Sequence, residues 1–142
     1  MRSTFPRCVQ NDAEAVITDI RKAAIVAVAY RYDIKSNLWA QLPNMPSAAV
    51  AAPSPAMVVN QLVMIPGGDD GKQLTVSLEK HSGFSRNIQV FDVNTERWSS
   101  TFGVDTPRVT VPLVQKKNVW FLCSGEEKPG IRSPEIWQVK LY

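Results

Sequence analysis

Two stretches of this chain, fifty-nine residues apart, carry the same phrase: an aromatic residue, an aspartate, five residues and a tryptophan. The first is Tyr32, Asp33 and Trp39; the second is Phe91, Asp92 and Trp98. Each phrase comes with an apolar run that ends in small residues, Leu62 to Ile65 before Gly67 and Gly68, and Val119 to Cys123 before Ser124 and Gly125. One structural unit is therefore written twice. Repetition at such a period implies units that stack because none can bury its apolar face alone.

Short apolar runs separated by ten prolines and seven glycines suit an all-β chain with many turns better than a helical bundle. Ala29 to Ile34 reads as a strand, Lys35 to Asn37 as a turn, and Leu38 to Leu42 as the strand carrying Trp39. Pro43 to Pro55 holds four prolines and reads as an extended connection before Ala56 to Val59. Asn60 and Gln61 then turn the chain into Leu62 to Ile65. The second unit repeats the order, with strands at Ile88 to Val93, from Trp98, at Arg108 to Val114 and at Val119 to Cys123. A third begins at Ser133, where Glu135 to Leu141 reads as a strand. Asp33 and Asp92 are expected to bond the turns that follow them, and the four tryptophans to serve packing. Before this, Asn11 to Ala24 fits a short helix with Val16, Ile17 and Ile20 on one face, while Ala23 to Ala29 could equally lead into the first strand.

These units resemble kelch repeats. The resemblance implies an all-β, kelch-type β-propeller, about two four-stranded blades plus the start of a third, with units near 29–78, 84–125 and 133–142 and an unmatched segment at 1–28. A kelch unit takes about 50 residues and a propeller roughly 4 to 8 blades, so 142 residues are expected not to close the ring. Self-association, or further blades, would be needed to complete it.

A net charge of +3 with scattered Lys and Arg gives no basic face for nucleic acid. Ala23 to Ala29, the longest apolar stretch, is far below the roughly 20 residues that span a bilayer, so no membrane segment is expected. No apolar run precedes Asp12, as a secretory signal would require. Taken as written the chain would stay in the cytoplasm; a chain shortened at its front would also have lost an export signal. Cys8 and Cys123 form no metal-type or disulfide spacing, and Cys123 reads as a small buried hydrophobe.

The chemically richest stretch follows the second inner strand, Ser124 to Pro134. Glu126 and Arg132 flank a Lys-Pro-Gly turn that folds the loop back, so a carboxylate and a guanidinium could face one small volume. Such a pair suits a substrate with a titratable hydroxyl and a carboxylate, because Glu can move the proton while Arg grips the anion. On spacing alone, a surface ion pair that stiffens the loop is the simpler reading. Arg86 and His81 lie in a loop between units, and Asp69 follows the glycine pair where Glu126 lies in the next unit. All three are candidates for substrate binding, as is Arg108, for which an exposed strand position is the simpler reading; Asp69 is equally a turn residue. His81 is the single histidine, so a kelch copper site with two histidine ligands cannot be built.

The run SGEEKPGIRSPEIW, Ser124 to Trp137, is similar to the signature loop of the bacterial sialic acid mutarotases, or N-acetylneuraminate epimerases. FDVNTERW at Phe91 to Trp98 stands at the matching distance, and APSPA, GGDDG, EKHSGFSR and PRVTVP lie in the same order as in longer kelch relatives. The likeness covers about Ala29 to Tyr142. It implies an isomerase that interconverts anomers of a sialic acid by acid/base ring opening, with Glu126 and Arg132 as the catalytic pair and with no metal or organic cofactor. It also implies that a complete member could be exported to the periplasm. The other expectation is a non-catalytic kelch fragment, serving as a protein-interaction module or arising from a truncated gene.

Overall fold

The computed structural model describes residues 25–139. The helix expected over Asn11 to Ala24 lies outside them. Among the described residues eleven strands occur in chain order: β1 (Ala29–Asp33), β2 (Leu38–Leu42), β3 (Met57–Val59), β4 (Leu62–Pro66), β5 (Asn87–Asp92), β6 (Arg97–Phe102), β7 (Leu113–Lys116), β8 (Val119–Cys123), β9 (Glu126–Lys128), β10 (Ile131–Arg132) and β11 (Ile136–Val139). A single 3-10 turn, Leu78–Lys80, interrupts the link between β4 and β5. Among the described residues no helix is long and apolar enough to cross a membrane.

The repeated phrase is a hairpin. Tyr32 pairs with Trp39 across β1 and β2, and Phe91 with Trp98 across β5 and β6. In both pairs the ring centroids lie 4.9 Å apart, at 36° and 45°. The aspartate after each aromatic closes the turn: the Ser36 N–H donates to Asp33 at 2.7 Å, and the Asn94 and Thr95 N–H groups to Asp92 at 2.8 and 3.2 Å. Asn37 and Glu96 take the left-handed conformation that returns the chain to its partner strand, at φ 57° and 51°. A seven-residue spacing thus reports a cross-strand aromatic pair on either side of a capped four-residue turn.

Sheets do not coincide with sequence units. A four-stranded antiparallel sheet runs β3-β4-β5-β6, so it takes its first hairpin from one unit and its second from the next. The join is the β4–β5 ladder, five pairs from Leu62↔Asp92 to Pro66↔Ile88. A three-stranded sheet runs β11-β8-β7, while β1-β2 and β9-β10 are two-stranded. The four-stranded sheet is an antiparallel meander of consecutive strands, and the Gly67–Arg86 link carries the chain from β4 to β5.

Between the two larger sheets lies the core of Met57, Met64, Val111, Leu113, Trp120 and Leu122, flanked by Ile88, Val90 and Val139. Alternation on β5 sends Gln89 and Phe91 to its other face, where Gln89 donates to Ser47 Oγ at 2.7 Å. The proline-rich connection, expected to be extended, is bent, with Ala51 in the left-handed conformation at φ 52°, and it pairs with the segment leading into β7: Thr110 N–H donates to Ala51 O at 2.8 Å and Leu113 N–H to Ser54 O at 2.8 Å. Trp98 reaches the same connection, donating from Nε1 to Pro43 O at 2.8 Å.

Trp120 is buried, but two other tryptophans are less covered than a packing role anticipates. Trp39 is 67% exposed and Trp137 40%. β2 pairs only with β1 among the described residues, and β11 is an edge strand.

Candidate functional site

The loop after β8 folds back as its Lys-Pro-Gly turn requires. Ser124 and Gly125 both have positive φ, 69° and 104°, and a Cβ on Gly125 would meet Val111 Cβ at 3.0 Å. Only glycine fits there without displacement. The chain then runs out along β9, turns at Pro129 and Gly130, and returns along β10. Its base is pinned by Val109 and Glu126, which exchange backbone bonds of 3.1 and 3.0 Å, and by Ser133 N–H to Gly125 O at 2.9 Å.

Glu126 and Arg132 are partners in the β9–β10 ladder. Their side chains nonetheless part company. The Glu126 carboxylate accepts the Gly130 N–H of its own turn, and Arg132 is exposed. No ion pair joins them among the described residues. The ladder also slips: Lys128 opposes Ile131 and Glu126 opposes Arg132, leaving Glu127 as the extra residue of a bulge. Bulges of this kind re-aim a side chain.

Arg108 is buried, at 3% exposure, against the simpler expectation of an exposed strand position. Its guanidinium lies 3.0 Å from Glu127 Oε1 and donates to Glu135 Oε2 at 2.9 Å. Glu135 Oε2 also accepts the Trp137 indole N–H at 3.1 Å. Burial of a cation is tolerated because two carboxylates, themselves 41% and 57% exposed, compensate it. The Arg108 Nε is buried without a partner.

Beside this cluster is a cleft of about 200 Å³. Arg86, Arg108 and Lys128 give it cations, Asp105 and Glu127 give it carboxylates, and Gly83 and Phe84 form part of its wall. Two of the four residues singled out for binding, Arg86 and Arg108, therefore meet. His81 stands behind the wall: buried at 5%, it accepts the Gly83 N–H on Nδ1 at 3.1 Å and tilts against Phe84 with centroids 5.6 Å apart. Asp69 is elsewhere, pairing through its backbone with Val50 and accepting the Gly71 N–H at 2.8 Å. Its neighbour Asp70 feels some desolvation, yet the ion pair and hydrogen bonds from Lys72 hold its pKa below the usual 3.8. Neither aspartate lines the cleft.

A wider groove of about 520 Å³ runs along Met57, Ile88, Val104, Leu122 and Trp137, with Asp105 its one charged lining residue. That lining suits apolar packing better than a sugar acid. Glu127, Lys128 and Asp105 are the cleft residues that sequence reasoning passed over. The Glu126-Glu127 doublet gave no sign of which carboxylate would face the cleft, because a bulge has no sequence signature here. No cluster of three or more metal-ligating side chains occurs among the described residues.

No protein-family model matches the chain, and no curated protein matches it. Among solved structures, that of YjhT superposes with a TM-score of 0.63 at 18% identity, over 80% of this chain and 40% of that one. The described residues form part of an all-β propeller. At this identity the likeness carries the fold alone, and the chain spans about 40% of that neighbour's length.

Proposed function

We propose that this chain is part of a kelch-type propeller that interconverts the anomers of a sialic acid. The observation that carries the reading is the cleft in which Arg86 and Lys128 meet carboxylates beside the 126–132 hairpin, with the buried Arg108 behind them. Cations grip the sugar carboxylate, and a carboxylate within reach moves the anomeric proton. The anomeric O–H gives up its proton as its electrons form the ketone and the ring C–O bond breaks. The ring oxygen takes a proton, the open chain rotates about the single bond beside the new carbonyl carbon, and reclosure on the other face reverses each step. Protons taken and given balance, so no cofactor is required. The motif resemblance assigns the acid/base and anion-holding roles to Glu126 and Arg132. Propeller pockets are lined by loops from several blades, so full activity belongs to an assembly larger than these two sheets.

The test is anomer exchange of N-acetylneuraminic acid followed by proton NMR, with Glu126→Gln and Arg132→Ala as controls. Exchange accelerated by the chain, alone or self-associated, supports the reading, and slowing by Glu126→Gln or Arg132→Ala would assign it to the pair that the motif resemblance names. Exchange at the uncatalysed rate with every protein counts against it.

A second reading rests on a separate observation. Leu38, Trp39, Phe102 and Ile136 are each at least 65% exposed, on strands at the edges of their sheets. Such edges and apolar side chains suit a non-catalytic interaction module. Stoichiometric self-association without any effect on anomer exchange favours that alternative.

A further inference from the structure

We infer that Glu127, and not Glu126, is the carboxylate that meets a ligand in the cleft, and that Arg108 is the positioning residue that holds it there. The inference rests on the sugar-acid reading of the cleft and changes which residue does the chemistry.

Three observations carry it. The Glu126 carboxylate is already committed to the Gly130 N–H of its own turn, and Glu126 is not part of the cleft lining. Glu127 is the bulged residue of the hairpin, lines the cleft, and keeps 41% of its side chain open to solvent. Arg108 fixes it from behind at 3.0 Å while its own exposure is 3%. A carboxylate clamped on one side and open on the other is positioned to accept a proton, since its geometry is set before the ligand arrives. Arg86 shares the cleft and makes no ion pair among the described residues, which suits it to meet an anion there. Lys128 adds a second cation. The ligand class is thus a small hydroxy acid: its carboxylate meets Arg86 and Lys128, and its hydroxyl meets Glu127.

Arg108 acts through Glu127 and not on the ligand. It is buried, and both of its carboxylate partners flank the hairpin, one on β9 and the other just beyond β10. Both contacts converge on one guanidinium nitrogen, so a lysine ammonium can keep the charge and part of the clamp.

The experiment is carbon-detected NMR of the glutamate side-chain carboxyls in the whole chain, titrated with N-acetylneuraminic acid and, as a control, with a neutral N-acetylhexosamine. The Glu127 carboxyl should move with the acid and not with the neutral sugar, while Glu126 stays in place. Arg86→Ala should weaken the affinity about tenfold or more. Arg108→Lys should retain a reduced Glu127 response that Arg108→Ala loses. Movement of Glu126 in place of Glu127, or of neither at saturating acid, overturns the inference. If Arg108→Ala fails to fold, Glu127→Gln decides: affinity unchanged from wild type overturns the inference, and weakened binding supports it. A Glu127 response without anomer exchange would count against the isomerase reading alone.

Discussion

Arg108 and Glu127 face each other at 3.0 Å with very unequal surroundings, the guanidinium at 3% exposure and the carboxylate at 41%. The cation is fixed by the fold, and the anion is presented by it. Because Glu135 takes the same guanidinium nitrogen at 2.9 Å, one buried charge ties the start of the 126–132 hairpin to the strand that follows it.

Replacing Arg108 by alanine should therefore destabilise the chain. Breaking a buried pair removes its compensation, but both carboxylates remain wet, which brings the expected cost to about 1–3 kcal/mol. Urea denaturation should show a lower midpoint with an unchanged slope. Glu135→Gln, which leaves Glu127 in place, should cost less. Equal stability of Arg108→Ala and wild type would contradict the clamp.

Two glycines should differ sharply. A Cβ at Gly68 would lie 2.8 Å from the backbone carbonyl carbon of Ala49, and φ there is +90°. Gly130 has φ +77° but nothing within 4 Å of a Cβ. Gly68→Ala should cost about 2–4 kcal/mol, combining strain with overpacking, and Gly130→Ala only about 1 kcal/mol. Thermal or urea unfolding of the two variants measures the difference.

The repeated hairpin can be taken apart one bond at a time. Asp92→Ala removes the acceptor for two turn N–H groups, and Trp98→Phe removes the donor to Pro43 while keeping an aromatic ring beside Phe91. Each should cost about 1 kcal/mol. Because Asp92 and Trp98 sit on adjacent rungs of one hairpin, the double variant should depart from additivity by about 0.5 kcal/mol or more.

The pH dependence has a definite sign at Asp70. Its folded pKa lies below 3.8, so the native state favours the charged form more than the unfolded chain does. That stability is complete above the unfolded value and is lost as pH falls through the folded one. Lys72 is 74% exposed, which limits the effect to below about 1 kcal/mol. Between pH 6 and pH 3, wild type should lose slightly more stability than Asp70→Asn; a larger loss in the variant would reverse the sign.

Edge strands should make the chain associate. Trp39 and Ile136, at 67% and 68% exposure, are candidates for that contact. Sedimentation should show a concentration-dependent mass that Ile136→Lys reduces with little change in stability, as expected of a surface site, whereas Trp39→Lys also loses the Tyr32 contact. A monomer at all concentrations would remove self-association as a route to a closed ring.

The strands at Tyr32, Trp39, Val119 and Phe91, the turns capped by Asp33 and Asp92, and the hairpin closed by Asn60 were legible in the sequence because each depends on neighbours within about ten residues. So was the return of the 126–132 loop, which needs only its Lys-Pro-Gly turn. The partnership of β4 with β5 was not, because it closes across the Gly67–Arg86 link, beyond the reach of a local turn signal. Nor were the burial of Arg108 and the outward turn of Glu127. Arg108 is adjacent to Glu127 only after β9 has folded back beside Val109, and a one-residue slip in a three-residue strand decides which of two consecutive glutamates faces the cleft. Local spacing determined the repeated unit and the loop that matters; long-range pairing decided which charges that loop brings together.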